Sequence, residues 1–456
     1  MTKFLSLGAP VVTSLLLAAC SFVPAYERPA APVATAYPGA GATSATTPAA
    51  DIAWQDYFVD ARLRKLIELS LANNRDLRVA VLNIDRAQAQ YRVQRAAQFP
   101  AINGAFAGQR QSGSSDVYTL GVGITSFELD FFGRVQSLKD AALAQYLATA
   151  ESRKTVQINL VASVANTYLG ILADEELLRL TRETLATREQ SLKLAQLRFD
   201  NGVSSELDLR QAQGLVEGAR AAAAQLQRQR ALDENALVLL LGQPLPVDLP
   251  AGQDFRLQVA LLADVPAGLP SELLVKRPDI RSAEQLLLAA NASIGSARAA
   301  FFPRISLTTS VGKVSGDLDN LLSGGTGWTF APQLLLPLFN AGANEANLES
   351  AKLGRDIAVA QYEKAIQTAF REVADSLAGR DTLLAQYKAT QSQVDAAAAT
   401  FKLSELRYNN GVASYLDLLD AQRSLFTAQQ AAVQVRLAHL QNQVTLYKVL
   451  GGGWKD

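Results

Sequence analysis

Residues 304–313 read RISLTTSVGK, in which Ile305, Leu307, Thr309 and Val311 alternate with Ser306, Thr308, Ser310 and Gly312. A period of two marks a strand with one apolar face and one small, polar face. About ten residues is also the length that lets a tilted strand cross a bilayer. The stretch follows Phe301-Phe302-Pro303, and residues 327–339 supply a second strand beside it. An earlier Phe99-Pro100 is followed by 103–111, small and polar around Phe106, and by 117–129, with Tyr118, Leu120, Val122 and Ile124 on one side. Two strands in each half of the chain, four in all, are expected.

The halves are copies. Residues 95–100, RAAQFP, match 298–303, RAAFFP, and Asp76 and Arg78 match Asp279 and Arg281 at the same offset. Further on, 197–213 (LRFDNGVSSELDLRQAQ) matches 406–422 (LRYNNGVASYLDLLDAQ). A repeat at fixed offset is one structural unit used twice. We place the first repeat at 61–245 and the second at 269–453, with 246–268 as linker and 454–456 as tail. Each opens with a helical stretch, 62–98 and about 271–300, the latter with Pro278 near its start, where proline is tolerated.

After the strands the helical period returns and persists. Residues 134–200 contain no Pro and only Gly170, and 343–409 contain no Pro and only Gly354 and Gly379. Leu177, Leu178, Leu185, Leu192 and Leu194 are spaced as in coiled-coil packing. Each long helix stops at Asn-Gly, with tips at 201–203 and 410–412, since glycine takes the left-handed conformation that ends a helix. Ser205 with Asp208, and Ser414 with Asp417, form the capping-box spacing that starts the next helix.

Composition narrows the chemistry. Lys+Arg and Asp+Glu are both 43, so no basic excess points to nucleic acid. One Cys and one His among 456 residues leave no His-based triad and no multi-His metal site within a chain. His439, on a helix between Leu437 and Leu440, is a packing residue in this reading. Residues 323–327, SGGTG, lack the Lys-Ser/Thr of a phosphate loop and read as an outer loop. We therefore expect no enzyme, no cofactor and no metal. The start, MTKFLSLGAPVVTSLLLAAC, has the layout of a secretory signal over 1–19 and is too short to span a bilayer as a helix. It ends on Cys20 in a sequence that resembles the bacterial lipobox, which implies a covalent lipid on Cys20. Ser21 at the next position implies the outer membrane. Residues 20–60 read as a tether leading into the folded body.

Four membrane-length strands cannot close a barrel alone, because open edges in lipid leave unpaired backbone groups costing several kcal/mol each. Three copies give twelve strands and a lumen. QRAAQFP, ARAAFFP, ELDFFGRVQS, QYEKAIQTAFREVADSL, NGVASYLDLLDAQRSLFTAQQ and the terminal LYKVLGGGW, with the lipobox, resemble the TolC superfamily of outer-membrane factors, and among them the OprM-like lipoproteins. The resemblance covers essentially the whole mature chain. It implies a mainly α chain with an internal twofold repeat, assembled as a homotrimer with a twelve-stranded outer-membrane β-barrel. A long periplasmic α-helical barrel and an equatorial domain continue it. It also implies export of drugs and small toxic molecules with a periplasmic adaptor and an inner-membrane RND-type pump. Protein secretion through the same duct is the alternative cargo, and a coiled-coil adaptor lipoprotein is the weaker one.

The same resemblance assigns residues. Leu416, Asp417 and Asp420 match ring-forming positions of the hairpin that closes the periplasmic end. The first copy has Gln211 where the second has Asp420, consistent with only the second hairpin reaching the axis. Threefold symmetry would gather six acids there, a ring that attracts cations. Tyr408 and Asp208 match a gate latch, although Ala413 stands where the TolC-type lock uses an arginine. Asn201, Gly202, Val203, Asn410, Gly411 and Val412 match the tips that adaptors engage.

Overall fold

The computed structural model describes residues 22–38, 48–110, 112, 115–258, 265 and 270–455. The expected signal segment, Cys20 and part of the linker lie outside these. In chain order the helices are α1 (Trp54–Tyr57), α2 (Ala61–Asn73), α3 (Arg75–Ala96), α4 (Arg134–Asp200), α5 (Glu206–Leu241), α6 (Pro270–Lys276), α7 (Pro278–Ala299), α8 (Ala343–Asn409) and α9 (Tyr415–Val449). The strands are β1 (Ile102–Gln109), β2 (Val117–Leu129), β3 (Arg304–Ser315) and β4 (Gly325–Leu335). Two compact units result, one of 22–32, 81–152 and 279–365, the other of 33–38, 48–80, 153–278 and 366–455.

In the first unit the strands form one antiparallel sheet in the order β1-β2-β3-β4. Its register sorts the side chains. Phe106 opposes Leu120, Val122 opposes Val311, and Val311 and Thr309 oppose Trp328 and Phe330. Cross-strand partners share a face, so one face carries the aromatics and branched residues. The other carries Asn103, Gly121, Gly123, Ser306, Ser310, Gly312 and Thr329. Phe106, Trp328 and Phe330 are more than half exposed, so this apolar face has no cover among the described residues. A continuous patch of that kind is unstable in water.

A bulge keeps the faces apart. Ile124 pairs with Thr309 but Phe127 pairs with Leu307, so β2 spends one extra residue there. Unbroken alternation from Ile124 would turn Phe127 to the polar face and Glu128 to the apolar one. The bulge corrects this with Ser126 at φ 51°, its amide donating to Thr308 Oγ1 at 3.1 Å. Glu128 is thereby kept between Arg134 at 2.6 Å and Arg304 at 2.7 Å.

Three sequence expectations are corrected here. β4 spans Gly325–Leu335 rather than 327–339: Pro337 beyond its end lacks an amide for the ladder, and at its start Gly325, Thr326 and Gly327 pair with Val314, Lys313 and Gly312, so three residues of SGGTG are strand rather than loop. The stretch 62–98 is two helices. Asn74 turns extended (ψ 131°) and caps α3, its side-chain oxygen accepting from Leu77 N at 2.9 Å. The second copy breaks at the matching place, where Pro278 disfavours helix at Arg277. The tether is also fastened: Phe22 stacks on Phe302 at 4.5 Å, Asn291 donates to Pro24 O at 2.8 Å, and Arg28 grips Glu284 at 2.7 and 2.8 Å.

The second unit holds the hairpins α4–α5 and α8–α9. One window of α4 is long and apolar enough for a membrane span, yet 61% of it is buried in protein. Asp60, 3% exposed, fastens three segments. Its Oδ1 caps α2 through Arg62 N and Leu63 N. Its Oδ2 accepts from Gln258 Nε2 at 2.7 Å, Tyr168 Oη at 3.2 Å and Gln253 N at 3.3 Å. The chain end is locked by Tyr447, stacked on Tyr57 at 3.9 Å and donating to Ile52 O at 2.7 Å. Between α4 and α5, burial followed by the hydrogen bond and charge of Asp233 pushes the Asp174 carboxyl up to about 7, against the pull of Arg230.

Three outcomes follow from these contacts. Ser126→Gly should leave the sheet unchanged, whereas Ser126→Val, forcing a branched residue to positive φ, should cost about 1–2 kcal/mol, read as earlier loss of heat-modifiable gel migration. Asp60→Ala should lower stability to urea by at least about 3 kcal/mol, since several buried donors lose their acceptor. Asp174 holds a proton in the folded chain that the unfolded chain releases, so stability should fall as pH rises from about 4 to about 7 and then level. Asp174→Asn should flatten that fall in thermal melts recorded across the range.

Candidate functional site

The two hairpin tips are built by the same bonds. At the first, Gly202 N donates to Phe199 O at 2.9 Å and Val203 N to Arg198 O at 2.8 Å; at the second, Gly411 N donates to Tyr408 O at 3.0 Å and Val412 N to Arg407 O at 2.9 Å. Asn201 and Asn410 each cap their own helix, the side-chain amide donating to Leu197 O and Leu406 O at 2.7 Å. Gly202 and Gly411 have φ of 71° and 74° with nothing within 4 Å of an added Cβ, so conformation and not crowding requires glycine there. Val203 and Val412 are 75% and 68% exposed. Each tip thus presents an apolar side chain on a rigid turn.

Both capping boxes form, Ser205 with Asp208 and Ser414 with Asp417. Asp417 Oδ2 accepts from Ser414 N at 3.1 Å and from Ser414 Oγ at 2.9 Å. The cap is therefore a structural role for Asp417, in addition to any role in a ring. Asp420 has none in capping; it pairs loosely with Arg423 at 3.6 Å. Asp417 and Asp420 line one groove of 540 Å³ between α8 and α9, with Arg407, Thr400, Ser404 and Ser424. Leu416 is 54% exposed.

Tyr408 and Asp208 are not bonded to each other among the described residues. Tyr408 Oη accepts from Arg198 Nη1 at 2.5 Å, and the guanidinium lies 4.7 Å from the ring centroid. Asp208 is engaged by Ser205 N at 3.2 Å. Between them sits Tyr415, packed against Ala195, Leu209 and Ala212 and 5.6 Å from the Tyr408 ring. Burial, followed by the charges of Tyr408 and Asp208, pushes its phenol up to about 12. The hairpin contact is thus filled by Ala195, Leu209 and Ala212 with Leu192 and Tyr415 against them, so Leu192 of the expected leucine series packs there while Leu194 is 39% exposed.

Of the further residues that shape the tips, Tyr415 and Arg423 have a signal in the sequence, whereas Arg198 matches Arg407 of the other copy and has none. Positions 199, 206, 211 and 214 of the first copy carry Phe, Glu, Gln and Gly, where the second carries Tyr408, Tyr415, Asp420 and Arg423. Departures from the repeat cluster where the two hairpins meet. Among the described residues no group of three or more His, Cys, Asp or Glu could hold a metal ion.

The chain matches the model of the outer membrane efflux protein family over residues 66–243 and 269–452, that is, over both repeats. It is 49% identical to the antibiotic efflux pump outer membrane protein ArpC of Pseudomonas putida, over 100% of this chain and 97% of the relative. The toluene efflux pump outer membrane protein TtgC of a Pseudomonas putida strain is similar to the same degree and extent. Among solved structures, the open state of the Neisseria gonorrhoeae MtrE outer membrane channel superposes with a TM-score of 0.89 at 42% identity, covering 96% of this chain and 99% of that one. With a sheet that leaves an apolar face uncovered, paired helical hairpins and a family match through both repeats, this chain belongs to the outer membrane efflux proteins.

Proposed function

We propose that three copies of the chain form the outer-membrane exit duct of a tripartite efflux system, passing drugs and small toxic molecules to the exterior. The observation that carries this reading is the sheet: one face apolar, one small and polar, and β1 and β4 each with one side unpaired in the order β1-β2-β3-β4. In lipid, such edges must pair with another copy. Twelve strands then enclose a lumen lined by Asn103, Ser310 and Thr329, while Phe106, Trp328 and Phe330 face the bilayer. Relatives named for antibiotic and toluene export support small-molecule cargo.

In this assembly Cys20 carries the lipid, and the long helices continue the duct through the periplasm, girdled by an equatorial domain. The tips at 201–203 and 410–412 meet the periplasmic adaptor, which couples the duct to an inner-membrane pump of the RND type. Leu416, Asp417 and Asp420 narrow the periplasmic end, and Arg198 supplies Tyr408 with a hold that Asp208 was expected to give.

Conductance of wild type and of the Asp417→Asn/Asp420→Asn variant in planar bilayers tests the proposal. Discrete openings with cation preference are expected of wild type, and the double variant should lose most of that preference. Unchanged preference would remove the acids from the gate. A chain that stays monomeric in detergent and passes no ions would sink the duct itself.

A further inference from the structure

The second unit contains a buried cation that no carboxylate answers among the described residues. Arg436 on α9 is 7% exposed, and its Nε has no partner. Its one hydrogen bond among the described residues runs from Nη2 to Tyr387 Oη at a long 3.3 Å. Its other support is aromatic: the guanidinium lies 5.3 Å from the Tyr387 centroid and 5.6 Å from that of Phe255. Two such faces soften the desolvation of a guanidinium without satisfying its N–H groups.

Arg436 lines a cavity of 300 Å³ with Arg256, Glu176, Gln391 and Gln429, room for roughly ten water volumes. Among the described residues Glu176 is the one acid of the lining, and it is spent. Arg179 binds both its oxygens at 2.8 and 2.9 Å, and Arg256 adds two contacts to Oε1 at 2.9 and 3.1 Å. The lining thus holds two cations against one acid whose lone pairs are already engaged. Two glutamine amides add neutral donors.

We propose that this cavity is a binding site for a small oxyanion, a carboxylate or phosphate group, held by Arg436 and Arg256. Guanidinium groups match the geometry of such anions, and charge-assisted bonds are strongest where water is excluded. Arg436 is the buried anchor. Arg256, whose side chain is 56% exposed, sits at the opening and guides the anion in. The site is formed by α4, the segment after α5, α8 and α9, so occupancy ties four segments together. It is independent of the gate and of conduction.

The test uses the full detergent-purified chain in HEPES, melted with increasing sodium phosphate against sodium chloride of equal ionic strength. Wild type should gain several degrees with phosphate in a saturable manner and little with chloride. Arg436→Gln should abolish the saturable gain, and Arg436→Lys should retain part of it. Arg256→Gln, at a position whose side chain is 56% exposed and whose partner Glu176 keeps Arg179, should raise the half-saturating phosphate concentration about tenfold. Equal gains with phosphate and chloride in wild type would overturn the proposal, as would a saturable gain preserved in both glutamine variants. So would a phosphate-insensitive wild type whose subunit association weakens on Arg436→Gln, since a carboxylate of a neighbouring copy would then be the occupant.

Discussion

A sheet whose two outer strands each leave one side unpaired would have nowhere in lipid to place its edge amides and carbonyls, and the proposed duct rests on this constraint. The apolar face presented by Phe106, Val122, Trp328 and Phe330 suits hydrocarbon, while the outer sides of β1 and β4 do not. Side chains can be exchanged for ones that tolerate lipid, but backbone polarity cannot. The proposed closure by further copies is the remedy that leaves the strands themselves unaltered. The bulge at Ser126 keeps the faces distinct, because one residue of slip would move Glu128 onto the apolar face and leave Arg134 and Arg304 without their acid.

Duplication supplies the hairpins and divergence specialises them. The turns at Gly202 and Gly411 are made by the same backbone bonds, which the repeated Asn-Gly and capping-box residues suffice to specify. The residues that differ between copies are those in which the hairpins touch or in which charge collects. Tyr408 receives Arg198, Tyr415 fills the space over Ala212, and Asp420 joins Asp417 on one groove. A duplicated scaffold therefore retains what makes a turn and varies what the two hairpins present to each other.

In the second unit polar groups hold segments distant in sequence. Asp60 gathers α2, Tyr168 of α4 and the segment after α5, and Arg436 draws Tyr387 and Phe255 around one guanidinium. Such contacts fix a unique arrangement because a buried polar group accepts few alternatives. Their cost is a dependence on complete partnership, which Asp60 has and Arg436 lacks. That contrast separates a structural carboxylate from the guanidinium for which an anion is proposed.

Residues 304–313, the Asn-Gly turns and the Ser-x-x-Asp caps determined strand, tip and helix start by themselves, because period, positive φ and capping are local properties. The repeat likewise revealed the two halves, and the proline-free runs revealed the long helices. Tertiary structure alone decided the fastening of residues 22–28 along α7 and the partners of Tyr408. Each depends on which distant group packs alongside: Arg198 rather than Asp208 for a phenol, Glu284 for Arg28. Periodicity carries no record of such choices, since a charged or aromatic residue has the same spacing whether it ends beside water, a ring or another charge.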